Sequence, residues 1–325
     1  MQDIRMGMIG LGSMGRHHAR VIRETEGMQL VAIADANGDR FGVAQGLEVL
    51  PDVDALIAAG IDAAMVAVPT VEHEKVALKL AAAGIHTMVE KPIADTVEAG
   101  ERVAAAFQEA GVVGAVGYVE RCNPAIVELR RRIMDGQLGQ IYQIATSRQG
   151  PFPARISDVG VVKDLATHDV DLTKWLGGAN YAEVHAHVTH RSGQPHEDMV
   201  VASGILENGI IVNHVVNRLS PRKERETVVM GEKGALIADT GTTDLTFYVN
   251  GTVATEWDAI AAFRGVTEGD VVRYAFTKRE PLRVEQEHFR DAINGDPSGI
   301  VSMEDGVETL RIIERMLASS LSPTA

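Results

Sequence analysis

The sequence predicts an α/β protein: an N-terminal doubly wound parallel sheet, followed by an α+β domain with a large, open, mostly antiparallel sheet. Three observations carry that prediction. Over roughly the first 120 residues, short apolar runs alternate with segments of helical period, the mark of βαβ units. Gly10, Gly12 and Gly15 stand directly behind the first apolar run, in "MGMIGLGSMGRHH". Past residue 120 the texture changes to alternating segments such as "DMVVASGILENGIIVNHVVNR", where Asn208-Gly209 marks a tight hairpin turn.

Taken in order, the strand candidates are Arg5 to Ile9, Gln29 to Ala34, Ala63 to Val68, His86 to Val89 and Val112 to Gly117. Helices begin near Ser13, Asp52, Val71 and Asp95, the last with Asp95 and Glu98 at capping-box spacing. A helix from Pro124 to Met134 and another around Leu165 to Leu176 precede strands broken at glycines through "ERETVVMGEKGALIADTGTTDLTFYVNG". The tail "SMEDGVETLRIIERMLASS" is helical again, with Val307, Leu310, Ile313 and Leu317 on one stripe. The expected domains are 1–120 and 121–301, with a C-terminal helix over 302–325 that packs back on the first.

A chain of 325 residues, 45% hydrophobic and 23% charged, has length for two cores. Lys and Arg number 31 against 45 Asp and Glu, a net charge of -14 that disfavours nucleic acid as a partner. The densest basic run, Arg130 to Arg132, reads as the polar face of a helix. Cys122 is the single cysteine, which excludes an intrachain disulfide and a Cys-based zinc site and fits a reducing cytoplasm. The first residues lack the apolar run of a signal peptide, and no segment approaches the ~18 apolar residues of a membrane span. A cytoplasmic protein with no membrane partner is expected.

The glycine loop, with Ser13 and Met14 inside it, has GxGxxG spacing between a strand and a helix, where backbone N–H groups can approach a pyrophosphate. Alone the pattern is weak. The second strand, however, ends "LVAIAD", which sets Asp35 twenty residues beyond Gly15 to accept from an adenosine ribose. A carboxylate there repels a 2'-phosphate, and Ala36 and Asn37 offer no arginine, so NAD is favoured over NADP. Ligands of such sheets bind beyond the carboxyl ends of the strands, which points Pro69, Thr70, His73, Glu90, Lys91 and Pro92 toward the cofactor crevice. The Lys91 ammonium could hold a substrate hydroxyl or developing alkoxide; the competing reading is a surface lysine paired with Glu90.

In "VVKDLATHDVDL", Asp164, His168 and Asp171 fall at i, i+4 and i+7 and share one helix face. There a carboxylate can orient an imidazole that accepts a proton. A metal site would need more ligands, and "HEKVA" and "HEDMV" both lack a second His, so no metal is expected. A solvated helix start is the plainer alternative. Arg148 and Arg155 flank the loop "QGPFPARI", where either could pair with a diphosphate.

Together, "GLGSMGRHHAR", Asp35, "VAVPTVEH", "VEKPIAD", "GYVERCNPA" and "DLATHDVDL" resemble, in order and spacing, the glucose-fructose oxidoreductase and inositol dehydrogenase family, Gfo/Idh/MocA. The resemblance implies a Rossmann domain for NAD or NADP and a second domain for substrate binding, often also for oligomers built through the open face of its sheet. It implies that Lys91, Asp164 and His168 surround the carbon that exchanges hydride. A finer similarity, in "GYVERCNPAI" and "SRQGPFPARISDVGVVKDLATHDVDL", is to the UDP-N-acetylglucosamine 3-dehydrogenase branch. That branch carries His at the place of Tyr118 and an aromatic residue at the place of Cys122. It implies a UDP-sugar substrate oxidised at C3, a homo-oligomer (dimer or tetramer), a pathway aminotransferase as partner, and substrate contacts from Tyr118, Arg121, Asn123, Arg148 and Arg155 beside Lys91, Asp164 and His168. Two alternatives stay open: a dehydrogenase of a free sugar or polyol such as myo-inositol, and a non-enzymatic dinucleotide-sensing regulator.

Overall fold

In the computed structural model, residues 3–151, 159–193, 195–251 and 269–320 are described; Arg155 lies outside them. Contacts divide the chain into two units, 1–122 with 279–314 and 123–278 with 315–325. The sequence reading leaves residues 279–301 in the second domain, whereas here they cluster with the first.

The first unit is built on strands β1 (Ile4–Ile9), β2 (Met28–Ala34), β3 (Val49–Leu50), β4 (Ala63–Val66), β5 (His86–Glu90) and β6 (Gly114–Gly117). They form one parallel sheet in the order β3-β2-β1-β4-β5-β6. Strand order reverses between β1 and β4, the point at which doubly wound sheets open a ligand crevice. The strands are apolar because helices cover both faces: all four residues of β4 are buried. The crossover helices are α1 (Gly15–Glu24), α2 (Val53–Ala58), α3 (Thr70–Ala82) and α4 (Val97–Ala110). Two expectations are corrected. The two-residue edge strand β3 was too short to show a period. Helix α4 is capped by Thr96, whose side chain accepts from the Ala99 N–H, so the cap lies one residue beyond Asp95 and its box with Glu98 does not form.

Helix α7 (Pro281–Ile293), which the sequence reading passes over, begins with Pro at its first turn and ends before Asn294 and Gly295. Its Phe289 is fully buried in the first unit's core with Met6, Met8, Ile33 and Met65. Helix α8 (Met303–Ser320) buries Val307, Leu310 and Ile313, as the stripe predicts, and is preceded by Val301, whose carbonyl accepts from the Val116 N–H.

The second unit holds α5 (Pro124–Met134), α6 (Thr167–Gly177) and strands β7 (Ile141–Gln149), β8 (Tyr181–Thr189), β9 (Met199–Leu206), β10 (Ile211–Asn217), β11 (Glu224–Gly231), β12 (Gly234–Asp239), β13 (Asp244–Val249) and β14 (Val271–Arg273). They form an eight-stranded sheet, antiparallel except where β7 pairs with β10. The hairpin β9–β10 turns at Gly209, whose φ of 86° only glycine adopts without strain. One sheet face is polar where it meets α6. Thr146 contacts His214 Nδ1 at 2.7 Å, Tyr181 Oη lies 2.7 Å from His214 Nε2, and Tyr181 meets Thr173 at 2.5 Å. Thr173 donates onward to the carbonyl of Asp169 at 2.9 Å. One assignment of protons satisfies every member: Thr146 donates to a neutral imidazole, which donates to Tyr181, which donates to Thr173. The opposite face exposes Val201, Ile205, Ile211, Met230 and Tyr248. Among the described residues, no helix is long and apolar enough to cross a membrane.

Burial without a charged partner pushes His214 down to about 4. The unfolded chain takes up a proton near pH 6.5 that the native state refuses until about pH 4. This contribution to stability is complete above pH 6.5 and is lost on acidification through that window, in total on the order of 3 kcal/mol. Unfolding titrations at stepped pH should show the slope, and His214→Gln should flatten it.

Candidate active site

Each glycine of the loop has a different reason to be there. Gly10 has φ +90°, and a Cβ on it would lie 2.5 Å from the Ala67 carbonyl oxygen. A Cβ on Gly15 would lie 1.9 Å from the Gly10 carbonyl oxygen, so only glycine lets α1 approach this closely. A Cβ on Gly12 would meet nothing within 4 Å. The fold therefore requires Gly10 and Gly15 and leaves clear space at Gly12, where a phosphate approaching the backbone would stand.

The Asp35 carboxylate accepts from the Leu11 N–H at 2.7 Å and from the Asn37 N–H at 2.7 Å, fixing it beside the loop. Gly10, Gly12, Asp35, Asn37, Val68 and Pro69 line one cavity of about 720 Å³. A dinucleotide fits this lining: clear backbone at Gly12 for pyrophosphate, and a half-buried carboxylate with lone pairs left for ribose hydroxyls. Ser13 is half-buried and Met14 is exposed at the helix entrance, and Thr70 opens α3 next to Pro69.

His73 departs from expectation. It is 1% exposed, with Nδ1 2.8 Å from the Pro92 carbonyl and Nε2 3.0 Å from that of Val68. Burial lowers its pKa against the pull of those carbonyls. It braces the two loops that end β4 and β5 and presents no ring to a ligand.

Glu90, at the end of β5, also turns inward. Its Oε1 lies 2.8 Å from His18 Nε2 and its Oε2 accepts the Lys91 N–H at 3.1 Å. Burial alone would raise the Glu90 pKa, but the His18 hydrogen bond, with Lys91, holds it below the usual carboxylate range. Lys91 is half-buried and is followed by a cis bond to Pro92. Glu285, on α7, is pushed well above the ordinary carboxyl range by burial and by the nearby Glu90 charge.

In the second unit the helix expected around Leu165 to Leu176 is interrupted at its start. Val162–Ala166 is a π turn, the Thr167 N–H reaching back to the Val162 carbonyl, and α6 begins only at Thr167. The i, i+4, i+7 spacing presumed one regular α-helix. In a π turn residues four apart still share a face, so the insertion keeps Asp164 over His168 and shifts both relative to Asp171, and π turns often occur at functional sites. Asp164 forms an ion pair with Arg218, whose guanidinium also donates to the Val159 carbonyl at 3.1 Å. Glu197 accepts the Val162 N–H at 3.0 Å and so fixes the start of the turn. His168 is 9% exposed and Asp171 is 1% exposed.

The substrate candidates fare unevenly. Arg148 lies in a buried pair, Nε 2.9 Å from Asp169 Oδ2, which ties α6 to β7. Asn123 caps α5, accepting from the Ala125 N–H at 3.0 Å and donating to the Thr240 carbonyl at 3.2 Å. Tyr118 is 1% exposed, and Arg121 lies 3.5 Å from Asp305. Arg218, His18 and Gln286 were absent from the sequence reading, because each is defined by a partner 54 or more positions away.

Gly12→Ala should leave the melting temperature unchanged while raising the NAD dissociation constant at least tenfold, about 1.4 kcal/mol. Gly15→Ala should itself lower stability by about 1–3 kcal/mol or more, as overpacking does. Calorimetric melting and NAD titration of both variants decide this. Glu285, neutral when folded, favours the native state below pH 4.5 and loses that contribution as pH rises above it. Glu285→Gln should therefore melt higher than the parent at pH 8, by a margin that shrinks toward pH 5.

Comparison with known proteins accords with this geometry. Residues 4–118 match the family described as "Oxidoreductase family, NAD-binding Rossmann fold", and residues 126–237 match the GFO/IDH/MocA C-terminal domain. The chain is 31% identical over 296 residues, 90% of each protein, to UDP-N-acetylglucosamine 3-dehydrogenase of Acidithiobacillus ferrooxidans. It is 25% identical to the scyllo-inositol 2-dehydrogenase (NAD(+)) of Bacillus subtilis, over 95% of this chain and 92% of that one. A solved structure of UDP-N-acetylglucosamine 3-dehydrogenase GnnA from Acidithiobacillus ferrooxidans superposes with a TM-score of 0.87 at 29% identity, covering 98% of both chains. With both domains matched in order, the chain is a member of the Gfo/Idh/MocA family of NAD-binding oxidoreductases.

Proposed function

We propose that this chain oxidises a secondary hydroxyl of a nucleotide-activated sugar, with C3 of UDP-N-acetylglucosamine as the substrate position, and releases the 3-keto sugar to an aminotransferase. The observation that carries this reading is the 31% identity, over 90% of both lengths, to a UDP-N-acetylglucosamine 3-dehydrogenase. His168 accepts the hydroxyl proton, Lys91 holds the oxygen as charge develops on it, and Asp164, anchored by Arg218, orients the sugar or the imidazole. NAD, when bound, supplies the hydride acceptor. The protein's own contribution is to position donor carbon and proton acceptor together, which removes much of the entropic barrier. The Arg218 pair supports the role of Asp164, since a charge-assisted bond to a buried guanidinium fixes the carboxylate.

A second reading, a dehydrogenase of a free polyol such as an inositol, is favoured by one specific feature. Arg148, a candidate for the diphosphate, is engaged with Asp169 in the interior. We also propose that copies associate through the open sheet face, since Val201, Ile205, Ile211, Met230 and Tyr248 are too apolar to remain in water together.

With NAD and UDP-N-acetylglucosamine, reduced-nicotinamide absorbance should appear, more strongly with an aminotransferase drawing off product. Absence of signal under both conditions, with turnover of myo-inositol, would replace the first reading by the second. His168→Ala should lower kcat about 10²- to 10⁴-fold and leave the NAD dissociation constant unchanged.

A further inference from the structure

A chain of polar groups runs through the interior of the first unit and has no part in the chemistry proposed above. His18, on α1, is fully buried. Its Nε2 lies 2.8 Å from Glu90 Oε1, and its Nδ1 accepts from Gln286 Nε2 at 3.1 Å. The Gln286 amide nitrogen also faces the sulfurs of Met65 at 3.8 Å and Met88 at 3.7 Å, both acceptors, which agrees with the amide orientation that makes it the donor to His18. At the other end Glu90 Oε2 accepts the backbone N–H of Lys91 at 3.1 Å. Three elements distant in sequence thus meet in a line of hydrogen bonds that ends on the peptide carrying Lys91.

Filling this space with apolar side chains would be the less costly way to build a core, because a buried carboxylate loses several kcal/mol of hydration. What apolar residues could not do is fix a peptide plane. A carboxylate held on one oxygen by an imidazole and on the other by an amide restricts both the Glu90 side chain and the direction in which the Lys91 backbone leaves the strand. His18 has a further property: it lies on the helix whose N-terminus is the glycine loop. A displacement of α1 at that loop would therefore reach Glu90 through the His18 ring.

We propose that His18, acting through Glu90 and supported by Gln286, is a positioning residue for Lys91, and that it couples the dinucleotide loop to the placement of that lysine. The inference rests on the reading of Lys91 as the group that holds the substrate oxygen. Facing ionisable groups are His18 and Lys91, which hold Glu90 down, and Glu285 and His73, on which the Glu90 charge acts.

The test uses the intact protein with isotope-labelled lysine, the Lys91 amide resonance being assigned by its loss in Lys91→Arg. His18→Leu should shift that resonance upfield and speed its exchange, since the carboxylate is no longer fixed against the amide. His18→Gln places an amide nitrogen near the former Nε2 and should restore both. Gln286→Met, a substitution of similar length between two methionine sulfurs, is the second variant and should give a smaller shift in the same direction. An unshifted resonance in a folded His18→Leu or Gln286→Met protein overturns the inference. With whichever of UDP-N-acetylglucosamine or myo-inositol is turned over, His18→Leu should lower kcat about tenfold with KM unchanged, His18→Gln should recover it, and His18→Leu should add nothing to Lys91→Ala. Additive losses overturn the coupling. Full activity in Lys91→Ala instead overturns the reading of Lys91 and leaves the resonance result standing.

Discussion

The approach of Gly15 to the carbonyl of Gly10, closer than any Cβ would allow, is the constraint on which the first unit depends. It seats α1 directly against the end of β1, which turns the positive end of the helix dipole toward the glycine loop. One turn further along the same helix, the same approach carries His18 into the interior, within reach of Glu90 on β5. The glycine loop therefore does more than admit a ligand. It sets the register of a helix against a sheet, and the polar contacts of that helix inherit the register.

The second unit solves a related problem by other means. Helix α6 carries His168, which is 9% exposed. Two polar attachments fix its position on the sheet: the buried Arg148–Asp169 pair and the line from Thr173 through Tyr181 and His214 to Thr146. Apolar packing alone would tolerate sliding by fractions of an ångström, whereas hydrogen bonds to both ends of an imidazole specify rotation and height together. The π turn just before α6 carries Asp164, which pairs with Arg218.

What could be read from the sequence follows the range of the interactions involved. The glycine loop, Asp35, the parallel strands and the Asn208-Gly209 turn are written in local spacing, and the structure places them within a few residues of expectation. Helix α7 was legible in principle, from Pro281 at its start and Gly295 beyond its end, but "RVEQEH" hides its apolar stripe behind Glu285 and Gln286, polar residues that are buried. The π turn could not be read, because hydrophobic period does not distinguish it from an α-helix. The position of His73 beyond a strand end points it toward the crevice, and the branch resemblance makes Asn123 a substrate contact; the carbonyls of Val68 and Pro92 hold the first, and the Ala125 N–H and the Thr240 carbonyl engage the second. Arg218 carries no motif at all, and its importance lies entirely in the carboxylate it meets.

The two buried histidines show how such polar interiors can be sorted by physics. His214 sits among hydroxyl groups, every proton has an acceptor, and burial keeps the ring neutral down to about pH 4. Neutral hydrogen bonds of this kind contribute about 0.5–1.5 kcal/mol each, enough to justify the network as a fastener. His18 sits against a carboxylate kept ionised in the interior, with a second carboxyl group, on α7, kept neutral by its burial and by that charge. A fastener needs no such charge, and hydroxyl groups would have served. Retaining an anion there makes sense where its hydrogen bonds, stronger for being charge-assisted, must hold one particular amide in place. That amide belongs to Lys91.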